Sequence, residues 1–74
     1  MLSLPESLKR FRKEFKVTQK QAAQSADVAE RLYQKYEYVE VVPSAIVMLS
    51  LANKFGISLD YLFGRVDNPN ILRT

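Results

Sequence analysis

Capping signatures recur along this chain and divide it into short helices. Ser3-Leu-Pro-Glu6 has capping-box spacing, with a proline in the first turn, where a missing N–H does no harm. Thr18-Gln-Lys-Gln21 repeats the device: the hydroxyl accepts the third amide of the helix and the glutamine reaches back. Ser44, after Pro43, and Ser58, after Gly56-Ile57, are further N-caps. Between the caps, apolar residues recur at helical spacing. Leu8, Phe11 and Phe15 form one stripe, and Met48, Leu49, Leu51, Ala52 and Phe55 form another. The third helix starts at an ambiguous place. Asp27 suits a left-handed closure of helix 2, yet Asp27 and Glu30 also have capping-box spacing. Gly56 and Gly64 close the last two helices. These signals predict helices at about 5–14, 18–26, 29–38, 44–55 and 58–63, then a tail over about 65–74, with turn chemistry at Asp67-Asn-Pro69 and a loose end to Thr74.

With 74 residues, 47% of them hydrophobic and 26% charged, the chain reads as one folded all-α domain near the lower limit for a self-sufficient core. Cysteine is absent, which excludes disulfides and thiolate metal sites. Histidine is absent too, removing the commonest metal ligand and the commonest general base. Two glycines leave no phosphate-cradling glycine loop. The expectation is a binding module and not an enzyme, without catalytic residues, metal or cofactor. No apolar run approaches the roughly 20 residues of a membrane span, and the start lacks the pattern of a signal peptide. A cytoplasmic protein without a membrane partner is the default.

The net charge of +3 and pI of about 9.4 permit a nucleic-acid partner without demanding one. Charge is unevenly placed. Lys9, Arg10, Arg12, Lys13, Lys16 and Lys20 stand against Glu14 alone, as either a solvated helix face or a phosphate-facing flank. The stretch Asp27–Tyr38 is net acidic and has two chemistries when drawn as a helix. Leu32, Tyr33 and Tyr36 gather on one side. Glu30, Arg31, Gln34 and Lys35 gather on the other, as long polar side chains suited to base edges in a major groove.

Helices 2 and 3, joined by a short turn with Val28 as an apolar plug, match a helix-turn-helix. The supporting motifs run in register. They are Leu8 to Arg12, Thr18-Gln19, Ala22-Ala23, Val28, Tyr36-Glu37, Pro43-Ser44, Leu51-Ala52, and Phe55-Gly-Ile-Ser58 leading into Leu59-Asp-Tyr-Leu-Phe-Gly64. On these the chain resembles the Cro/C1-type (XRE-like) family of DNA-binding domains. The resemblance implies a five-helix, lambda-repressor-like fold. It places Glu30, Arg31 and Lys35, with Gln34 nearby, at base-reading positions, and Thr18, Gln19 and Lys20 at the phosphates. Arg31 suits guanine O6 and N7, Lys35 a guanine or a phosphate, and Glu30 a cytosine amino group or a cap. Thr18 also serves as a simple cap. Arg12 and Glu37 occupy positions that form an ion pair between helices 1 and 3 in the family. Leu32, Tyr33 and Tyr36 are expected in the core, with the Tyr33 hydroxyl reaching solvent or a partner.

The departures from the family lie after Glu37. There the family usually carries Asn-Gly and a polar, basic loop that holds phosphates. This chain has Tyr38-Val-Glu-Val-Val42, which removes an anchor and adds an acid. Ile46 and Val47 also replace polar residues. With Val39, Val41 and Val42 they make a candidate protein interface, unless some of them fold inward. Two readings follow. The first is a sequence-specific regulator of double-stranded DNA, a homodimeric repressor. The alternative is a protein-interaction adaptor or anti-regulator that keeps the fold and uses the surface from Val39 to Val47.

Overall fold

The computed structural model describes residues 2–38 and 41–70. It contains five α-helices: α1 Leu4–Phe15, α2 Gln19–Ser25, α3 Glu30–Tyr38, α4 Ala45–Phe55 and α5 Leu59–Leu62. Both capping boxes form. Ser3 Oγ accepts the Glu6 amide at 3.3 Å while Glu6 accepts the Ser3 amide at 3.2 Å, and Thr18 and Gln21 make the same exchange at 3.0 and 2.9 Å. Ser44 and Ser58 cap α4 and α5 by accepting the amides of Val47 and Tyr61. The ambiguity before α3 resolves in favour of closure. Asp27 takes the left-handed conformation at φ 57°, and the Val28 amide returns to the Ala23 carbonyl at 3.0 Å.

The core joins Leu8 and Phe11 of α1 to Ala22 and Ala23 of α2, Tyr33 and Tyr36 of α3, Met48 and Leu51 of α4, and Tyr61 and Leu62 of α5. The alanines let α2 lie close to α3 and α4. α3 packs on both α1 and α2, so its orientation is held from two sides. Phe11 makes an edge-on contact with Phe55, their ring centroids 4.9 Å apart, which ties α1 to α4.

Three expectations about the core change. Leu32 lies at the surface, 38% exposed, because Glu37 and not Leu32 completes the inward face of α3 beside Tyr33 and Tyr36. Leu49 is 45% exposed. The inward face of α4 is made by Val47, Met48, Leu51 and Ala52, and one residue beyond Met48 the helix has turned by about 100°. The Tyr33 hydroxyl reaches neither solvent nor a partner. The side chain is fully buried and its oxygen has no hydrogen bond among the described residues.

Two polar residues fasten the C-terminal part to α1. Buried Ser7 donates from its hydroxyl towards the carbonyls of Tyr61 and Leu62, at 2.9 and 2.6 Å. Arg10 lies over the Tyr61 ring at 4.3 Å and donates to the carbonyls of Tyr61 and Val66 and to the Asp67 carboxylate. The carbonyl end of a helix leaves acceptors without partners, and a guanidinium fork can serve several together. No described helix is long and apolar enough to cross a membrane.

Candidate nucleic-acid interface

The α2–turn–α3 unit is held from behind by an ion pair. Arg12 of α1 meets Glu37 of α3 in a two-pronged contact, Nε to Oε2 at 2.6 Å and Nη2 to Oε1 at 2.8 Å. The Glu37 side chain has no exposure and that of Arg12 has 23%. Burial alone would raise the Glu37 carboxyl. The Arg12 hydrogen bonds and charge, with smaller help from Gln19, outweigh it and hold the group below the ordinary carboxylate value. Glu37 is therefore an ionised, acceptor-only group inside the protein. The Tyr33 phenol lies beside this pair. Burial first, and the Glu37 carboxylate second, push it far above its usual value, so it stays protonated.

With Tyr33, Tyr36 and Glu37 turned inward, the opposite face of α3 carries Arg31, Lys35 and Tyr38, all exposed. Their spacing of four and three residues puts them along one line of the helix. Glu30 is exposed in the first turn, and Gln34 is half-buried at the edge of this face. At the start of α2, Thr18 and Lys20 are exposed. Gln19 is half-buried and faces α3: its Nε2 donates to Glu37 Oε1 at 3.3 Å and to the Tyr38 hydroxyl at 2.9 Å. The Tyr38 ring also carries the ammonium of Lys9 from α1, 5.4 Å from its centroid.

The basic run divides on folding. Arg10 and Arg12 are drawn into internal contacts, and Lys9, Lys13, Lys16 and Lys20 remain at the surface.

The helix-turn-helix family profile matches residues 8–62, from the α1 stripe to the last residue of α5. The chain belongs to this family. Its helix-turn-helix domain is 31% identical over 65 residues to YobD of Bacillus subtilis, an uncharacterized HTH-type transcriptional regulator. That match takes in 88% of this chain and 58% of YobD. The crystal structure of a transcriptional regulator from Listeria innocua matches with a TM-score of 0.74 and 31% identity, over 86% of this chain and 60% of that one. The chain thus spans about three-fifths of the length of either relative. The five-helix, XRE-like arrangement expected from the sequence is the one the structure has.

In this helix-turn-helix domain the candidate protein surface loses a member. Val47 is only 7% exposed and packs into the core, because it shares the inward face of α4 with Met48 and Leu51. Val42 and Ile46 are each 75% exposed, and Val41 is 37% exposed. Val39 lies outside the described residues. Sequence reasoning missed Tyr38 as an outward residue of α3 and Lys9 as its neighbour. Helical spacing carried the first signal, since Tyr38 stands seven residues after Arg31. Nothing local to Lys9 or Tyr38 announces their contact.

Proposed function

We propose that this domain binds double-stranded DNA as a transcription regulator, with α3 in the major groove. The observation that carries the reading is the two-sided character of α3. Its inner face is locked to α1 through Arg12 and Glu37 while Arg31 and Lys35 stand exposed on the outer face. An anchored helix presenting long cationic donors has the form that reads base edges. Arg31 pairs with guanine O6 and N7 through its fork. Lys35 serves a guanine or a phosphate, and Glu30 accepts from a cytosine amino group. Gln34, half-buried, has the shortest reach of the four. Thr18 and Lys20 serve the phosphate backbone with their side chains, and Gln19 serves it through its main-chain amide at the start of α2. As a homodimer the domain would meet two half-sites about 34 Å apart, and by occupying its site it acts as a repressor.

Binding to random and selected duplexes at low and moderate salt tests the reading. Affinity falls steeply with salt. Arg31→Ala costs about 1–3 kcal/mol on a preferred sequence and relaxes the preference at one base position. Absence of binding at low salt overturns it.

The exposure of Val42 and Ile46 favours a second reading, in which this surface takes a protein partner and DNA has been given up. A folded domain that ignores DNA at every salt concentration supports that reading.

A further inference from the structure

The outward face of α3 ends in a tyrosine whose hydroxyl is oriented from the interior. Glu37, held as a carboxylate by its two-pronged pairing with Arg12, can only accept hydrogen bonds. The Gln19 side chain that meets it must therefore present its NH2 group and not its carbonyl, which settles the orientation of that amide. The other hydrogen of the same nitrogen points to the Tyr38 oxygen, 2.9 Å away. Tyr38 is thus the acceptor in that bond, and its own O–H is left to donate elsewhere. The side chain is 65% exposed, so the donor is open to an outside acceptor. Lys9 brings an ammonium to the same ring, 5.4 Å from its centroid. A hydroxyl donor beside a cation, on the rim of a face proposed to enter a groove, suits an anionic oxygen.

We infer that Tyr38 and Lys9 together clamp one DNA backbone phosphate, with Gln19 acting as a positioning residue between Tyr38 and the buried Arg12–Glu37 pair. This rests on the DNA-binding reading above. It also gives the chain an anchor where its loop departs from the family. The Tyr38 hydroxyl donates to a phosphate oxygen, the Lys9 ammonium lies beside the same charge, and neither reads a base.

The test compares wild type, Tyr38→Phe, Lys9→Gln, Gln19→Leu and the Tyr38→Phe/Gln19→Leu double variant for binding to random-sequence and selected duplexes across a salt series, with circular dichroism on each to establish folding. Tyr38→Phe keeps the ring and removes only the donor. Its affinity falls about tenfold or more, by the same factor on every sequence, with the salt slope unchanged. Lys9→Gln flattens the salt slope by about one unit. The double variant loses little more than Tyr38→Phe alone, because Gln19 acts through Tyr38. Wild-type affinity in Tyr38→Phe overturns the clamp and leaves the DNA-binding reading standing. A loss confined to particular sequences also overturns it, since that marks a base contact. Failure of the wild type to bind DNA at low salt removes both.

Discussion

A carboxylate with no side-chain exposure, as in Glu37, is tolerable because Arg12 meets both of its oxygens. Removing one partner leaves the other charge buried and uncompensated. Arg12→Ala is expected to cost about 3–5 kcal/mol in urea unfolding, a large part of the roughly 5–15 kcal/mol that holds a small domain together. Replacing both, as in Arg12→Met with Glu37→Leu, is expected to be close to neutral. The pair also predicts a pH dependence. The native carboxyl titrates below its ordinary value of 4.5, so the unfolded chain takes up the proton first. The stabilisation is complete above that value and is lost as pH falls through the lower native one. As pH falls through and below that ordinary value, the wild-type melting temperature falls more steeply than that of the double variant. Parallel curves exclude the pair as the source.

Four of the helices, α1, α2, α4 and α5, end by one repeated device. Lys16, Asp27, Gly56 and Gly64 adopt φ of 55°, 57°, 64° and 80°, and the amide of the next residue returns to a carbonyl five residues back. In the first three cases that next residue is apolar, Val17, Val28 or Ile57, and it plugs the core edge. The four positions differ in what they cost. Lys16 carries a Cβ in a region that disfavours it, so Lys16→Gly is expected to stabilise by about 0.5–1 kcal/mol. A Cβ at Gly56 meets no atom within 4 Å, so alanine there costs only the backbone preference. At Gly64 it would stand 2.7 Å from the Leu2 carbonyl oxygen, in a segment where the Leu2 amide already bonds the Gly64 carbonyl. Melting temperatures should therefore rank Lys16→Gly above wild type, then Gly56→Ala, then Gly64→Ala. An equal loss for the two alanine variants excludes the close approach of Leu2 as the reason.

At the scale of the whole molecule, the proposed homodimeric repressor needs a self-complementary surface. Val41 and Val42 in the connection from α3 to α4, with Ile46 in the first turn of α4, supply exposed apolar area. If the homodimer forms there, Val41→Glu and Ile46→Glu each give a folded monomer by light scattering. Dimers in both variants place the interface elsewhere. Loss of dimerisation should also weaken binding to a two-half-site duplex more than to a single half-site, because linked sites gain from effective concentration.

The sequence by itself determined where four of the helices begin and, at Asp27, Gly56 and Gly64, how three of them end. Caps join a side chain to an amide three residues away, as at Ser3, Thr18, Ser44 and Ser58, and such bonds need no knowledge of the fold. The left-handed geometry open to Asp27 was legible for the same reason. The Arg12–Glu37 pair was legible only by resemblance, its partners being 25 residues apart. Tertiary structure alone decided the rest. Arg10 looked like one cation of a basic run until residues 51 to 57 positions away supplied its acceptors. Glu37 displaced Leu32 from the inner face of α3 because Arg12 was there to meet it. Val47 and Leu49 were sorted by the direction in which α4 meets its neighbours. Short-range hydrogen bonds are written in local spacing; the direction a helix face takes is set by what the rest of the chain packs against it.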